Sequence, residues 1–256
     1  MKYNPLVSII TVVYNGEKYL QQTIDSVNQQ TYKNIEYIII DGKSTDGTLD
    51  IIKRNESKIT KWISEPDNGL YDAMNKGIRM ANGELIGTIN SDDWYELNAV
   101  ELVIKSYQKN KEAKVFHANR YDVNSNNYKK EYRFKSSSFK FKYFSMTFSH
   151  PSMFIKREIY QEYVYNTHLK SYSDYEFILK LYLGRKNKIV HIPAPIVNFR
   201  LGGISAQMGF YEEIKEAFLA RRLAGMSLIE SVFALCLKVV LSPMVFIKNK
   251  LKNGFI

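Results

Sequence analysis

The sequence predicts an α/β fold: a mostly parallel, Rossmann-like central sheet flanked by helices, followed by a C-terminal helical extension. Two observations carry that prediction. The first half of the chain alternates short β-branched apolar runs with helix-like stretches, and the runs are apolar at successive positions. Strands of that kind are covered on both faces, as in parallel sheets sandwiched by helices and joined by right-handed crossovers. The polar clusters Tyr14-Asn15, Asp41 to Asp46 and Asn90 to Asp93 fall just after these runs. Those are the carboxyl ends of strands, where open α/β sheets bind ligands.

In chain order, Val7–Val13 is the first strand, Glu17–Gln29 a helix and IEYIIID (35–41) the second strand. Thr48–Lys53 reads as a helix, Ile59–Ser64 as the third strand, Gly69–Ala81 as a helix and Glu84–Ile89 as the fourth strand, with Ala99–Lys109 helical behind it. Residues 119–145 are rich in Asn, Lys, Ser, Tyr and Phe, which predicts strands and an exposed loop rather than core. SHPSMFIKREIY (149–160) reads as turn, short strand and helix start. In SYSDYEFILKLYL (171–183), Ser173 followed by Glu176 three residues later predicts a capping box, and Phe177, Ile178, Leu181 and Tyr182 form a helical stripe. IVHIPAPIVNFR is extended and interrupted by Pro193 and Pro195, and the chain is helical from about Phe210. The expected division is 1–205 as one domain, with a ligand-binding half (1–98) and a second half (99–205), and then the extension 206–256.

Composition narrows the function classes. With 45% hydrophobic residues in 256, the chain is not a disordered one. The formal net charge of +10 predicts attraction to a polyanion: nucleic acid, an anionic membrane surface or a phosphorylated substrate. A single cysteine, Cys236, excludes an internal disulfide framework and fits a reducing cytosol. The N-terminal apolar run is short and turns polar at Asn15, so it reads as a first strand rather than a signal peptide.

In GTINSDDWYE (87–96) a buried-looking strand ends on two adjacent carboxylates. Asp92 and Asp93 could be a turn and a helix N-cap. They could equally form a divalent cation site, because Mg2+ and Mn2+ take hard oxygen ligands, commonly one or two carboxylates completed by phosphates and water. In DGKSTDGT (41–48), turn-forming residues make a tight strand-to-helix connection, and there is neither a Walker sequence nor a GxGxxG. An acidic residue there suits hydrogen bonds to a base or ribose. Asp174 stands at a helix start, where the dipole helps keep it ionised; it is either plain helix-terminal charge or a general base. His150 and Arg200 each have a structural and a functional reading, and His117, His168 and His191 lack metal-ligand spacing.

VSIITVVYNGEKYL, IEYIIIDGKSTDGT, SEPDNGLYDAMNKGI, NSDDW and SDYEF, in this order over about residues 5–205, resemble the successive motifs of family 2 glycosyltransferases. These are nucleotide-sugar-dependent, inverting enzymes of the GT-A fold. SEPDNGLYDAMNKGI resembles a branch that builds bacterial surface polysaccharides such as O-antigen and capsule. The resemblance implies that Thr11, Val12, Tyr14 and Glu17 surround the nucleoside and that Asp41 reads a pyrimidine. It puts Asp67 and Lys76 by the nucleotide, Asp92 at the ribose or metal and Asp93 on Mn2+ or Mg2+. Many members have Asp where this chain has Asn90, which leaves only two carboxylates here. Asp174 would be the catalytic base, with Glu176 its competitor, His150 beside the acceptor or diphosphate, and Arg200 on the diphosphate with Gly202 and Gly203 forming a flap.

Two segments remain. KKEYRFKSSSFKFKYF (129–144) interleaves cations and aromatics, as single-strand nucleic-acid binders do, but no nucleic-acid module accompanies it. A solvated β-hairpin, or a contact with an acceptor diphosphate or lipid heads, reads it as well. LIESVFALCLKVVLSPMVFIKNKLK (228–252) is apolar but interrupted by Glu230, Lys238 and Pro243, short of the roughly 20 clean residues of a spanning helix. A monotopic attachment is expected, with Lys238, Lys248, Lys250 and Lys252 toward anionic heads; a helical pair packed on the domain or a homodimer interface is the alternative. The expected whole is a metal-dependent, inverting hexosyltransferase, cytoplasmic and peripheral on the inner face of the membrane. It would move a sugar from a nucleotide-sugar donor, a UDP-sugar, to a lipid-diphosphate-linked saccharide, with no nucleic-acid partner. The rival is a non-catalytic sugar-nucleotide or polyanion-binding protein of the same fold.

Overall fold

The computed structural model describes residues 4–184, 188–202 and 208–253, with side chains as far as residue 241. The strands are β1 (Val7–Val13), β2 (Ile35–Asp41), β3 (Lys61–Ser64), β4 (Leu85–Asn90), β5 (Trp94–Tyr95), β6 (Ala113–Val123), β7 (Lys129–Tyr132), β8 (Phe154–Lys156) and β9 (Lys188–Arg200). The helices are α1 (Leu20–Asn28), α2 (Thr48–Arg54), α3 (Leu70–Met80), α4 (Ala99–Lys109), α5 (Ser138–Tyr143), α6 (Ile159–Glu162), α7 (Ser173–Leu183), α8 (Phe210–Leu223) and α9 (Leu228–Asn253). All strands join one sheet in the order β3-β2-β1-β4-β8-β6-β9-β5, with β7 paired to β6.

Successive apolar residues of the early strands serve two layers. Ile10 and Val12 of β1 and Ile38 and Ile40 of β2 pack with α3 and α7, while Val7, Ile9, Val13, Tyr37 and Ile39 pack with α1, α2 and α4. Burial on both faces is what the unbroken apolar runs require. The sheet is parallel through β3-β2-β1-β4; beyond β4, β8 is antiparallel to both β4 and β6, β6 and β9 are parallel to each other, and β5 is antiparallel to β9. The two prolines of β9 do not end it. Its register against β6 shifts around Ala118–Arg120, opposite Pro195, so the missing N–H falls at an irregularity rather than in a regular ladder.

Three local expectations are corrected. Ser173 does not cap α7: the helix begins at Ser173 with Tyr172 as N-cap, and Ser173 Oγ accepts from the Asn166 N–H (2.6 Å) instead. Residues 129–144 are not a solvated hairpin throughout. β7 pairs with β6, but α5 follows, capped by Ser137 Oγ on the Lys140 N–H, and it buries Phe141 in the core. α9 runs on through Pro243, and Lys238 points inward, 6% exposed, rather than toward solvent. Lys248, Lys250 and Lys252 lie outside the described side chains, as Gly203 lies outside the described residues. Among the described residues no helix is long and apolar enough to cross a membrane.

The register positions the site. Val13 pairs with Asp41 and Val12 with Asn90, while Asp41 also pairs with Ser64, so β1 to β4 end level with one another. Tyr14, Asp41 and Asn90–Asp93 therefore emerge side by side. Because Phe154 of β8 pairs with Gly87 of antiparallel β4, the turn His150–Ser152 before β8 lies beside the same end of β4.

Candidate active site

The β1–α1 and β2–α2 connections interlock. Asn15 takes a left-handed backbone (φ 51°), which Asn tolerates better than most residues, and its N–H donates to Ser44 Oγ (2.8 Å) while its Oδ1 accepts from the Thr45 N–H (2.9 Å). Glu17 Oε2 accepts from the Gly47 N–H (2.7 Å), so this carboxylate shapes the loop. Asp41 is fully buried; Oδ1 accepts from Ser44 Oγ and Oδ2 from Ser64 Oγ, both at 2.5 Å. Thr11 and Val12 are interior too, with Thr11 Oγ1 3.1 Å from the Tyr37 hydroxyl. Tyr14 is exposed, at 64%, as are Asn15 and Glu17.

The loop after β3 closes against that framework. Asp67 Oδ1 accepts from the N–H of Gly69 (2.9 Å), whose φ of 103° suits glycine, and a Cβ on Gly42 would overlap Asp67 Oδ2. Lys76 reaches back from α3 to Pro66 O (2.6 Å) and Glu65 Oε1 (3.0 Å), which pins the loop from behind.

At the end of β4 the two carboxylates differ. Asp93 is 1% exposed, and both its oxygens are engaged: Oδ1 accepts from the Arg200 N–H (2.9 Å) and Oδ2 from Asn90 Nδ2 (2.8 Å). Burial, and then the charge of Asp92, push the Asp93 carboxyl up to about 8. Asp92 is partly exposed, and burial raises it as well. Two crowded carboxyls, each disfavoured as an anion, are a donor set that a divalent cation would relieve. Among the described residues no three His, Cys, Asp or Glu gather to hold a metal. Arg200 is held by several partners: its Nε donates to Asp92 O (2.9 Å), a terminal nitrogen donates to Gln22 Oε1 (2.5 Å), and its guanidinium lies 4.1 Å from the Tyr19 ring and 4.6 Å from that of Trp94. With Lys18, Trp94 and Lys129 it lines a cleft of about 630 Å³ whose wall includes none of Asp41, Asp92 or Asp174. Tyr95 is 3% exposed and part of the core.

Asp174 lies in the first turn of α7. Its Oδ1 accepts from the Tyr71 hydroxyl (3.1 Å) and from the Tyr175 N–H (2.8 Å), and Oδ2 has no hydrogen-bond partner among the described residues. Burial, and then the Asp174 charge, hold the Tyr71 phenol well above its ordinary value, so it remains a neutral donor. Behind it, His150 Nε2 lies 2.8 Å from the Tyr165 hydroxyl, and burial pushes its imidazole below the usual value against the pull of Asp174. Glu176 is 3% exposed with Lys180 3.1 Å away, so it cannot meet a substrate as a rival base. Tyr71 and Tyr165 were not predicted as site residues. Tyr71 sits inside SEPDNGLYDAMNKGI, where its hydroxyl could have been noticed; Tyr165 has no local signal.

The sequence model of glycosyl transferase family 2 matches residues 8–164, more than half of the chain. The chain belongs to glycosyl transferase family 2. Among curated relatives, a chondroitin synthase of Pasteurella multocida is 38% identical over 110 residues, 42% of this chain and 11% of that one. An uncharacterised glycosyltransferase of Mycobacterium tuberculosis is 44% identical over 90 residues, 35% of this chain and 34% of that one. The chain thus spans about a tenth to a third of the length of these relatives. Among solved structures, S. aureus TarS 1–349 in complex with UDP-GlcNAc superposes with a TM-score of 0.71 at 18% identity, covering 90% of this chain and 70% of that one. The mannosyltransferase PcManGT of Pyrobaculum calidifontis, in complex with GDP-Man and Mn2+, superposes with a TM-score of 0.63 at 14% identity, covering 91% and 70%. The fold of this family 2 member is GT-A.

Proposed function

We propose that this chain is an inverting glycosyltransferase that moves a sugar from a UDP-sugar to a hydroxyl of a lipid-diphosphate-linked saccharide in bacterial surface-polysaccharide assembly. The observation that carries the reading is Asp174: a carboxylate with one oxygen pinned by Tyr71 and Tyr175 and the other without a partner among the described residues, close enough for its charge to act on His150, whose turn lies against β4. Oδ2 of Asp174 takes the proton of the acceptor hydroxyl as that oxygen attacks the anomeric carbon, and the nucleotide diphosphate leaves from the opposite face. A single displacement inverts the anomeric centre and needs no second carboxylate nucleophile. The donor class is supported by the UDP-GlcNAc complex of TarS, and the polysaccharide role by the chondroitin synthase relative.

Of the two carboxylates expected at the metal, Asp92, the partly exposed one, would hold Mn2+ or Mg2+, with the buried Asp93 and its partner Asn90 as support. When bound, the cation would neutralise charge on the departing diphosphate. Asp41, Asp67 and Lys76 shape the nucleoside end through the loops they tie, and Tyr14 offers it an exposed ring. His150 and Tyr165 back the acceptor side, and Arg200, tied to Asp92 O through its Nε and lining the cleft, would reach the diphosphate from there. We place the chain peripherally on the inner face of the membrane, because Leu228, Ile229, Val232, Phe233, Val239 and Val240 form one exposed apolar face of α9.

UDP titration with and without Mn2+ tests the division of roles. The wild type and Asp174→Asn should bind alike, and Asp92→Ala should lose the Mn2+-dependent part of the affinity. Unchanged Mn2+-dependent binding by Asp92→Ala would contradict the metal placement.

A further inference from the structure

We propose that the α8–α9 hairpin is a brace that sets the position of Asp174, a proposal that rests on the general-base reading above. Three consecutive residues lead into α7, and each is tied to the hairpin. Glu216 of α8 accepts the Lys170 N–H on Oε1 (2.8 Å) and the Ser171 N–H on Oε2 (2.9 Å), one backbone group on each carboxylate oxygen. The next residue, Tyr172, donates its hydroxyl to Glu213 Oε1 (3.0 Å). Lys238 of α9 donates to that same oxygen (2.7 Å) and to the Tyr172 hydroxyl (3.0 Å). Asp174 follows two positions later.

The polar design is what separates a brace from packing. A lysine buried to 6% exposure is costly unless paired, and Lys238 spends its charge on Glu213 and Tyr172 rather than on solvent. Arg221, 1% exposed, anchors α8 in the same manner: its Nε donates to Lys142 O (2.8 Å), and its guanidinium lies 5.3 Å from the ring of Tyr175, the neighbour of Asp174. Apolar side chains would bury the same surface without fixing the register of the loop. Hydrogen bonds from charged groups to consecutive backbone positions fix both direction and distance. A general base tolerates little displacement: about 1 Å of misplacement can cost on the order of 100-fold in rate. Glu216, Glu213, Lys238 and Tyr172 are therefore positioning residues, and all but Tyr172 lie on the two helices expected to be a separate membrane-seeking extension.

The test is steady-state sugar transfer by the full chain, with UDP–Mn2+ affinity and thermal melting measured on the same samples. Glu216→Ala should lower kcat about 10- to 100-fold while UDP–Mn2+ affinity is unchanged. Glu216→Gln, which keeps one acceptor oxygen, should fall between it and the wild type, and Glu212→Ala, an exposed neighbour on α8, should match the wild type. Wild-type kcat in folded Glu216→Ala, or equal losses in kcat and UDP–Mn2+ affinity, would overturn the brace. If Glu216→Ala does not fold, Tyr172→Phe removes only a hydroxyl and should lower kcat several-fold at unchanged UDP–Mn2+ affinity; an unchanged kcat there overturns the brace as well. Asp174→Asn separates the two readings. If it transfers at the wild-type rate, the general-base reading has failed and the brace falls with it; if it is inactive while Glu216→Ala is unimpaired, the brace alone has failed.

Discussion

Asp92 and Asp93 are adjacent and chemically alike, yet their surroundings assign them different work. Asp93 is engaged by the Arg200 N–H and Asn90 Nδ2, so Asp93→Ala leaves two partly buried donors without this acceptor. That should cost about 1–3 kcal/mol of stability, read by urea unfolding. Asp92→Ala should cost much less stability and act on Mn2+-dependent binding instead. Gly42 makes a similar point through space alone: in Gly42→Ala the new Cβ would displace the Asp67 carboxylate, and UDP affinity should fall while the fold persists. Equal UDP affinity in that variant would show that the position of Asp67 is unimportant to the nucleotide. The carboxylate pair was legible in the sequence; its division of labour was not, because Arg200, on the distant strand β9, meets Asp93 only once that strand has joined the sheet.

The early strands were readable because their apolar runs have no period, and only two-sided burial explains that. The later ones were less so. β9 contains two prolines that its irregular pairing with β6 absorbs, and Ser173 is drawn off its expected cap by Asn166, a partner seven residues upstream. Glu36 shows how firmly the first half is tied. From β2 it accepts from Ser8 Oγ (2.6 Å), Lys61 Nζ (2.7 Å) and the Asn82 N–H (2.8 Å). Burial alone would raise it, but the Asn82 N–H, Lys61 and Ser8 together hold it at about 2, below the ordinary 4.5. A depressed carboxyl contributes stability that is complete above 4.5 and is lost as pH falls toward 2. Glu36→Gln should therefore lower stability by about 3 kcal/mol at pH near 7, with a smaller loss below pH 4; a difference that does not vary with pH would contradict the assignment. For α9, Ile229→Glu with Phe233→Glu should abolish co-sedimentation with anionic-lipid vesicles. Undiminished pelleting would contradict the membrane assignment, and conversion of a dimer to a monomer would make that face a subunit contact.

Taken as one molecule, the chain is a GT-A sheet whose strand ends bring Tyr14, Asp41 and Asn90–Asp93 side by side, with a helix, α7, that carries Asp174. Family membership was legible from five ordered motifs. The dependence of the Asp174 loop on the C-terminal helices was not, because apolar spacing in α9 reads alike for lipid and for protein. The acid side of the stability curve should also carry His117. Burial, and then the neighbouring His191, push its imidazole down to about 3, so its contribution is complete above the ordinary 6.5 and is lost as pH falls from there toward 3. The most direct test of the central claim is sugar transfer from a panel of radiolabelled nucleotide sugars with Mn2+, comparing the wild type with Asp174→Asn. The account predicts Mn2+-dependent turnover of a UDP-sugar by the wild type and a loss of about 100- to 10,000-fold in Asp174→Asn. Equal rates in the two proteins, or no turnover of any donor by the wild type, would contradict it.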